Sequence, residues 1–256
     1  MTEATALVAG GGKGARIATA LAWTGLGLAL ACGIAELLAG LGYRWGWWHF
    51  RTGIQIMRWS ATTDLAAVVL TLVAVLLAWK YGTRRALVTG VQGLVLAAIV
   101  GGPPLYHSRL GEQVPRIHDI STDTANPPRY VAVMALRKSG ENSTDYSAEV
   151  AAQQKKAYPD IAPAMLEVPP AEALQRAERT ARAMGWQIVA VAPEDMRIEA
   201  TDTTLLFGFK DDIVIRVAAN GSGSRVDMRS LSRVGRSDFG VNANRTRNFM
   251  KQLAAS

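Results

Sequence analysis

Three long apolar stretches, separated by short basic loops, occupy the first 106 residues of the chain. They cover about residues 17–41, 60–79 and 86–106, and their only charged residues are Glu36 and Asp64. A helix rises about 1.5 Å per residue, so about 20 residues cross the core of a bilayer. Each stretch is long enough, and tryptophans and arginines lie at the ends, as in membrane helices. We therefore predict a membrane region over residues 1–106 and a soluble domain over residues 107–256.

The segment between the first two stretches, residues 43–59, has a pattern of its own. Arginines recur at every seventh position, and apolar side chains follow spacings of three and four residues. Wound as a helix, this segment is amphipathic, which predicts an anchor lying in the outer leaflet, with a ligand site as the alternative. The residues predicted at the membrane interface are Arg44, Trp47, Trp48, Arg51 and Arg58.

The distribution of basic residues predicts the orientation of the three spans. Lys13, Arg16, Lys80, Arg84 and Arg85 flank one side of the spans, whereas the loop between spans one and two has three arginines. The positive-inside rule then places the N-terminus in the cytoplasm, and an odd number of spans puts the C-terminal domain on the opposite side. In a bacterium this predicts an inner-membrane protein with a periplasmic domain.

Residues 107–256 have the pattern of an α+β domain. A glycine-rich turn at residues 221–223 favours a hairpin, and Pro169-Pro170 favours a helix start. We predict an antiparallel sheet with helices packed on one face. The predicted helices are residues 147–158, 170–184 and 241–253, and the predicted strands are residues 131–136, 186–191, 197–203, 213–218 and 225–234.

The last predicted strand has one charged face. Arg225, Asp227, Arg229 and Arg233 alternate with apolar or small residues, and residues 212–216 of the neighbouring strand add charges to the same face. Two interpretations remain open. The charges form a solvated ladder on the sheet surface, or they form a recess of paired arginines suited to a carboxylate or phosphate group.

Several motifs of the soluble domain resemble the bacterial and plastid family called domain of unknown function 1499. These motifs are VPRIHDISTD at residues 114–123, NPP at 126–128, FGFKDDIVIR at 207–216, DMRSLSRVGRSDFG at 227–240 and NANR at 242–245. The resemblance spans about residues 111–253. Residues 42–44 and 50–53 also look like the amino-terminal part of membrane-anchored members. The resemblance implies an envelope or lumenal domain, and it implies no activity, ligand or catalytic residue.

Charge and cysteine content narrow the function further. The chain has a formal net charge of +7, but residues 107–256 hold 20 basic and 18 acidic residues. A nearly neutral domain lacks the field that drives binding to a phosphate backbone, so no nucleic-acid partner is expected. The single cysteine, Cys32, lies in the first span, so the soluble domain has no thiol chemistry. We expect no cofactor and no metal.

The favoured hypothesis is a non-catalytic envelope module that binds a lipid-like ligand or a protein partner. The alternative is an envelope hydrolase that uses His118, Asp119 and Asp123 together with the charged cluster. Adjacent residues of an extended chain point to opposite faces, which disfavours convergence of His118 and Asp119 on one atom. Asp238 is expected near the N-terminus of the last helix, where a carboxylate caps free amides. The candidate binding residues are His118, Asp119, Asp123, Asp211, Asp212, Arg216, Asp227, Arg229, Arg233, Arg236, Asp238, Asn242, Asn244 and Arg245.

Overall fold

The computed structural model describes the backbone of residues 3–255 and the side chains of residues 12–255. The chain forms two compact units, Met1–Arg109 and Leu110–Ser256. The first unit contains three helices that are long and apolar enough to cross a membrane, as predicted. Their bounds are α1 at Glu3–Arg44, α2 at Phe50–Lys80 and α3 at Arg84–Gln113. Helix α3 contains Pro103 and Pro104 and extends beyond the predicted third span, which ends at residue 106.

Small residues line the contacts between the three membrane helices. Each of the three helices has alanines that are fully or almost fully buried, whereas bulky side chains such as Trp23 and Leu65 face outward. Membrane helices associate through close backbone packing, which small side chains permit. Two such alanine clusters are Ala18 with Ala78 and Ala86, and Ala29 with Ala67 and Ala97.

The structure corrects the prediction of a separate interfacial helix at residues 43–59. Helix α1 ends at Arg44, a short turn follows, and α2 begins at Phe50 and continues without interruption through the second span. Residues 50–59 contain no proline and have the same helical spacing as the following span, so the helix propagates through them. Trp47, Arg51 and Arg58 are exposed.

The second unit is the predicted α+β domain, with six strands and three α-helices. Residues 131–136, predicted as a strand, instead contain a 3₁₀ turn at Ala132–Leu136, which is called the 132–136 turn below. The strands are β1 at Asp119–Ser121, β2 at Ala164–Leu166, β3 at Gln187–Ala192, β4 at Arg197–Thr203, β5 at Lys210–Asn220 and β6 at Gly223–Ser232. The helices are α4 at Ala148–Ala157, α5 at Pro170–Ala183 and α6 at Val241–Ala254.

All strand pairs are antiparallel, and β6 has the largest number of neighbours. The order is β1-β6-β5-β4-β3, and β2 also pairs with β6. Asp119 lies opposite Leu231 on one edge of β6, while Arg216 of β5 lies opposite Asp227 on the other. The predicted hairpin joins β5 to β6 through Gly221, whose φ of 59° suits glycine.

One face of the sheet packs against α5 and α6 to form the main core. Ile213 and Ile215 of β5 and Met228 of β6 are fully buried there. The rings of Trp186 and Phe249 stack with centroids 5.4 Å apart. The apolar stripe predicted on α5 lies in this core, because Ala177 is fully buried.

The opposite face of the sheet is covered by residues 119–146, which we call the cover segment. Tyr130 and Val133 of this segment pack against Val214 and Leu231 of the sheet. The cover segment contains β1 and the 132–136 turn, and it brings the charged face of β5 and β6 into the interior.

Candidate functional site

Most of the charged face of β5 and β6 is buried, so the first of the two interpretations, a solvated ladder, is wrong. Asp212, Asp227, Arg229 and Arg233 are between 0% and 6% exposed. The strand pattern correctly grouped these side chains on one face, but the cover segment shields that face from water. Buried charges must be paired and hydrogen-bonded. These side chains form clusters of arginines and carboxylates.

Arg229 is the best enclosed of these arginines, with 3% of its surface exposed. Its Nε and Nη2 donate to the two carboxylate oxygens of Asp119 at 2.9 and 2.6 Å. The guanidinium also donates to the carbonyl oxygen of Thr144 at 2.7 Å. It lies 5.0 Å from the ring centroid of Tyr130 and 5.3 Å from that of Tyr146. A planar guanidinium suits this combination of a forked ion pair and two aromatic faces.

Asp212 is the centre of a second cluster. Arg233 donates to its carboxylate through Nε at 3.0 Å and Nη2 at 2.7 Å, and Arg137 donates at 2.5 Å. Arg233 also donates to the carbonyl oxygen of Leu136, so it fixes the end of the 132–136 turn. Glu141 lies 3.9 Å from the guanidinium group of Arg137 and 4.0 Å from that of Arg233. Two carboxylates therefore balance two guanidinium groups in this cluster.

A third cluster lies closer to the surface. Arg216 and Arg225 each contact both Asp123 and Asp227, with nitrogen–oxygen distances of 3.0 to 3.2 Å. Asp123 also accepts hydrogen bonds from the backbone amides of residues 125 and 126. The two arginines therefore tie the start of the cover segment to the β5–β6 hairpin.

The fourth cluster joins α6 to the start of β5 and the end of β4, at the edge of the helix-packed face. Arg245 donates to Asp211 at 2.6 Å and to Asp202 at 2.8 Å. Arg245 also contacts Asn242, whose amide nitrogen donates to the carbonyl oxygen of His118 at 3.0 Å.

Glu199 on β4 anchors the cover segment through backbone amides. Its carboxylate accepts from the amides of Val131, Ala132 and Val133 at 2.9 to 3.1 Å. Arg197 supplies the compensating charge at 2.9 Å. This bonding resembles carboxylate capping of a helix start, in which free amide donors are satisfied by an anion.

Four candidate residues lie outside these ion-pair clusters. His118 is half-buried, and its Nδ1 lies 3.4 Å from the carbonyl oxygen of Arg236, whose own side chain is exposed. Asn244 is exposed and accepts from Arg247. Asp238 accepts from the amides of Gly240 and Asn242 at 2.9 and 2.7 Å, so its predicted capping role is confirmed.

Burial and ion pairing together set the electrostatics of the network. Burial raises the pKa of Asp119, although Arg229 opposes this shift. Burial opposes the charge of Arg229 and of Arg245, but the adjacent carboxylates outweigh it and raise both pKa values. Burial raises the pKa of Tyr130 and of Tyr146, and the charge of Asp119 raises them further. The arginines therefore remain cationic and the phenols remain neutral at ordinary pH. Among the residues that the structure describes, no group of three or more His, Cys, Asp or Glu could hold a metal ion.

Sequence reasoning missed several partners of the network. Arg137, Glu199 and Tyr130 were not predicted as site residues. Arg137 and Tyr130 of the cover segment donate to Asp212 of the sheet, and Glu199 of the sheet accepts from the backbone of the cover segment. Glu199 alternates with apolar residues in a strand, a pattern that places it opposite the helix-packed face. That signal identifies its face but not its partner, because the partner lies about 67 residues earlier in the chain.

The fold and the clusters define a class of protein with a membrane-anchoring helical unit and an α+β domain built around buried arginine–carboxylate pairs. A family model described as "Protein of unknown function (DUF1499)" matches residues 119–253, more than half of the chain. The chain belongs to this family, as its motifs predicted. The match covers the sheet, the cover segment and α6. No curated protein matches the chain.

Proposed function

We propose that this protein is a non-catalytic binding or assembly module of the bacterial envelope, anchored in the inner membrane with its C-terminal unit in the periplasm. The observation that carries the proposal is that the buried charges pair with one another and clamp the cover segment onto the sheet. Asp119, Asp123 and Asp212 each use their carboxylates on arginines. These carboxylates form structural ion pairs, which disfavours a role for them in hydrolysis.

The surface that this clamping presents is the 132–136 turn and the residue before it. The carboxylate of Glu199 accepts hydrogen bonds from amides at the start of this turn, and Arg233 donates to the carbonyl oxygen of Leu136 at its end. The side chains of Val131, Met134 and Leu136 are 54%, 45% and 50% exposed. A rigid apolar element loses little entropy on binding, so preorganisation favours its use as a contact surface.

A protein partner is better supported than a lipid-like ligand held between sheet and helices. Trp186, Phe249 and Leu253 fill that space and are 5% or less exposed. The proposed partner is therefore another envelope protein that contacts the apolar surface of residues 131–136. The excess of basic residues on one side of the predicted spans supports a cytoplasmic location for that side and a periplasmic location for the C-terminal unit.

Photocrosslinking in cells tests this proposal with the full-length protein. We expect a photoreactive amino acid at Met134 to give one discrete protein adduct. The matched control is Gln175, which is exposed on α5 at the opposite face of the sheet. Leu136→Asp should remove the adduct formed from position 134, because it places a charge in the apolar contact.

Other outcomes would reject the protein partner. Adducts only to lipids at Met134 would favour the lipid-like ligand. Identical products at Met134 and Gln175 would indicate random collision and would count against a specific surface.

A further inference from the structure

Asp64 is a carboxylic acid buried within the membrane unit. It lies on α2, and only 2% of its surface is exposed. Its Oδ2 faces α3, where a Cβ atom added to Gly101 would lie 2.6 Å away. Its Oδ1 has no hydrogen-bond partner among the described residues. Because Gly101 has no side chain, the carboxyl group of Asp64 fits between α2 and α3.

Glu36 on α1 is the second acid in this region. The charge of Asp64 acts on Glu36, so the two carboxyl groups lie within electrostatic range of each other. Its Oε1 is buried and also has no hydrogen-bond partner among the described residues. The nearby hydroxyl of Ser60 donates to the carbonyl oxygen of Cys32 at 2.8 Å.

No basic side chain pairs with these acids among the residues that the structure describes. None of the ion pairs there includes Glu36 or Asp64. An ionised carboxylate without a partner is very costly in a hydrocarbon environment, whereas the protonated form is neutral. Two adjacent carboxylates also repel each other, which favours at least one bound proton.

Helix α3 adds backbone acceptors near this pair. Proline has no N–H group, so Pro103 and Pro104 cannot donate to the carbonyl oxygens of Ile99 and Val100 in the α-helical pattern. Val100 precedes Gly101 and packs against Gly33 of α1, where a side-chain carbon lies 3.0 Å from an added Cβ position. A protonated carboxyl group carries an O–H donor that suits such acceptors.

We propose that Asp64 and Glu36 form a proton-binding site inside the three-helix membrane unit. The site gives the membrane helices a role besides anchoring, and it is independent of the binding function proposed for the C-terminal unit. Protons, rather than a metal ion, are the proposed ligand because only two carboxyl groups converge and no larger acidic group is found among the described residues.

Few other titratable groups face the pair. Helix α1 contributes Cys32 besides Glu36, and α2 contributes the hydroxyl of Ser60 besides Asp64. Helix α3 presents Val100 and Gly101, and its nearest titratable side chains lie five or more residues further along, at Tyr106 and His107.

A hydrophobic carbodiimide provides the test, because it modifies protonated carboxyl groups in apolar surroundings. The full-length protein in lipid nanodiscs is treated over a range of pH, and modified residues are located by mass spectrometry. We expect one adduct, at Asp64 or Glu36, whose rate of formation falls as the pH rises. Asp64→Asn with Glu36→Gln should lose the adduct at least tenfold, while Glu112→Gln at the exposed end of α3 should behave as wild type.

Three results would overturn the proposal. One is the absence of modification at both residues at the lowest pH at which the protein remains folded. Another is a modification rate that does not depend on pH. The third is protection by sodium ions at constant pH, compared with choline, which would identify a cation site instead. Asp64→Asn and Glu36→Gln preserve shape and a neutral charge, so circular dichroism of each single variant should show the wild-type helix content if protons occupy the site.

Discussion

Arg229 shows how a single side chain connects distant parts of the C-terminal unit. Its guanidinium binds Asp119 at the start of the cover segment and the carbonyl oxygen of Thr144 near its end. Tyr130 and Tyr146 enclose it from two sides. One residue of β6 therefore holds both ends of a segment of about 28 residues against the sheet.

Replacing Arg229 by alanine should destabilise the C-terminal unit by about 3 to 5 kcal/mol, because Asp119 would be left buried without its partner. Arg233→Ala should have a similar effect through Asp212, which is fully buried. The measurement is urea unfolding of the full-length protein in detergent, followed by hydrogen exchange of β5 and β6 peptides.

Arg247→Ala is the matched control for this measurement. Arg247 pairs with Asp160 at 2.5 Å, but both side chains are more than a third exposed. Its loss should cost less than about 1 kcal/mol. Equal effects of Arg229→Ala and Arg247→Ala would contradict the structural role of the buried network.

Asp123 should make the C-terminal unit sensitive to acid. Burial alone would raise its pKa, but the amides of Asn126 and Ala125 and the charges of Arg225 and Arg216 outweigh it and lower the pKa below the ordinary 3.8. The unfolded chain therefore binds the proton more readily, so this stabilisation is present above about pH 4 and is lost as the pH falls through the folded-state pKa.

Asp123→Asn should consequently reduce the difference in unfolding free energy between about pH 5 and about pH 3. Asp145→Asn is the control, since Asp145 is exposed and bonds only to Ser143 nearby. An unchanged acid sensitivity in Asp123→Asn would show that the Asp123 contacts do not stabilise the folded state.

The alternation of charged residues in β6 was sufficient to predict which side chains share a face. It was not sufficient to predict burial, because burial depends on the cover segment, which is remote in sequence and mostly irregular. Asp119 and Asp123 were identified as candidates, but Arg137 and Glu199 were not. Arg137 follows the 132–136 turn, where no periodic pattern marks the partners of buried charges. Glu199 lies on β4, where alternation indicates its face but not its partner.

At the level of secondary structure, β2 depends on a close contact with Gly223, the first residue of β6. A Cβ atom at Gly223 would lie 2.2 Å from the carbonyl oxygen of Leu166. Gly223→Ala should therefore separate β2 from β6 and accelerate hydrogen exchange at residues 164–166. Ser222→Ala, in the turn before β6, should leave the exchange of β2 unchanged. Unchanged exchange at residues 164–166 in Gly223→Ala would mean that β2 does not depend on the close contact between Gly223 and Leu166.

The elements that sequence predicted best were those with long periodic patterns. The bounds of β4 were predicted without error, and α4, α5 and α6 differ from prediction by one residue at most at each end. Strands β1 and β2 have three residues each, which is too short for a visible alternation. Residues 131–136 are apolar enough for a strand, but the carboxylate of Glu199 binds their amides in a 3₁₀ turn.

For the molecule as a whole, the basic residues near the spans predict on which side the C-terminal unit lies. Alkaline phosphatase fused after Ser256 should be active if that side is the periplasm, and a fluorescent protein that folds only in the cytoplasm should be dark there. Fusions placed in the turn between α2 and α3 should give the reverse result. The opposite pair of results would refute the periplasmic assignment.

Helix α2 is longer than a membrane requires. Its 31 residues span about 46 Å, compared with about 30 Å for the bilayer core. The apolar part begins near Ser60, so residues 50–59 form a rigid extension of about 15 Å that is continuous with the second span. A tilt of about 20° in that span would move the free end of the extension sideways by about 5 Å. Membrane thickness, by setting the tilt, would thus control the position of the tryptophan-rich turn at residues 45–49.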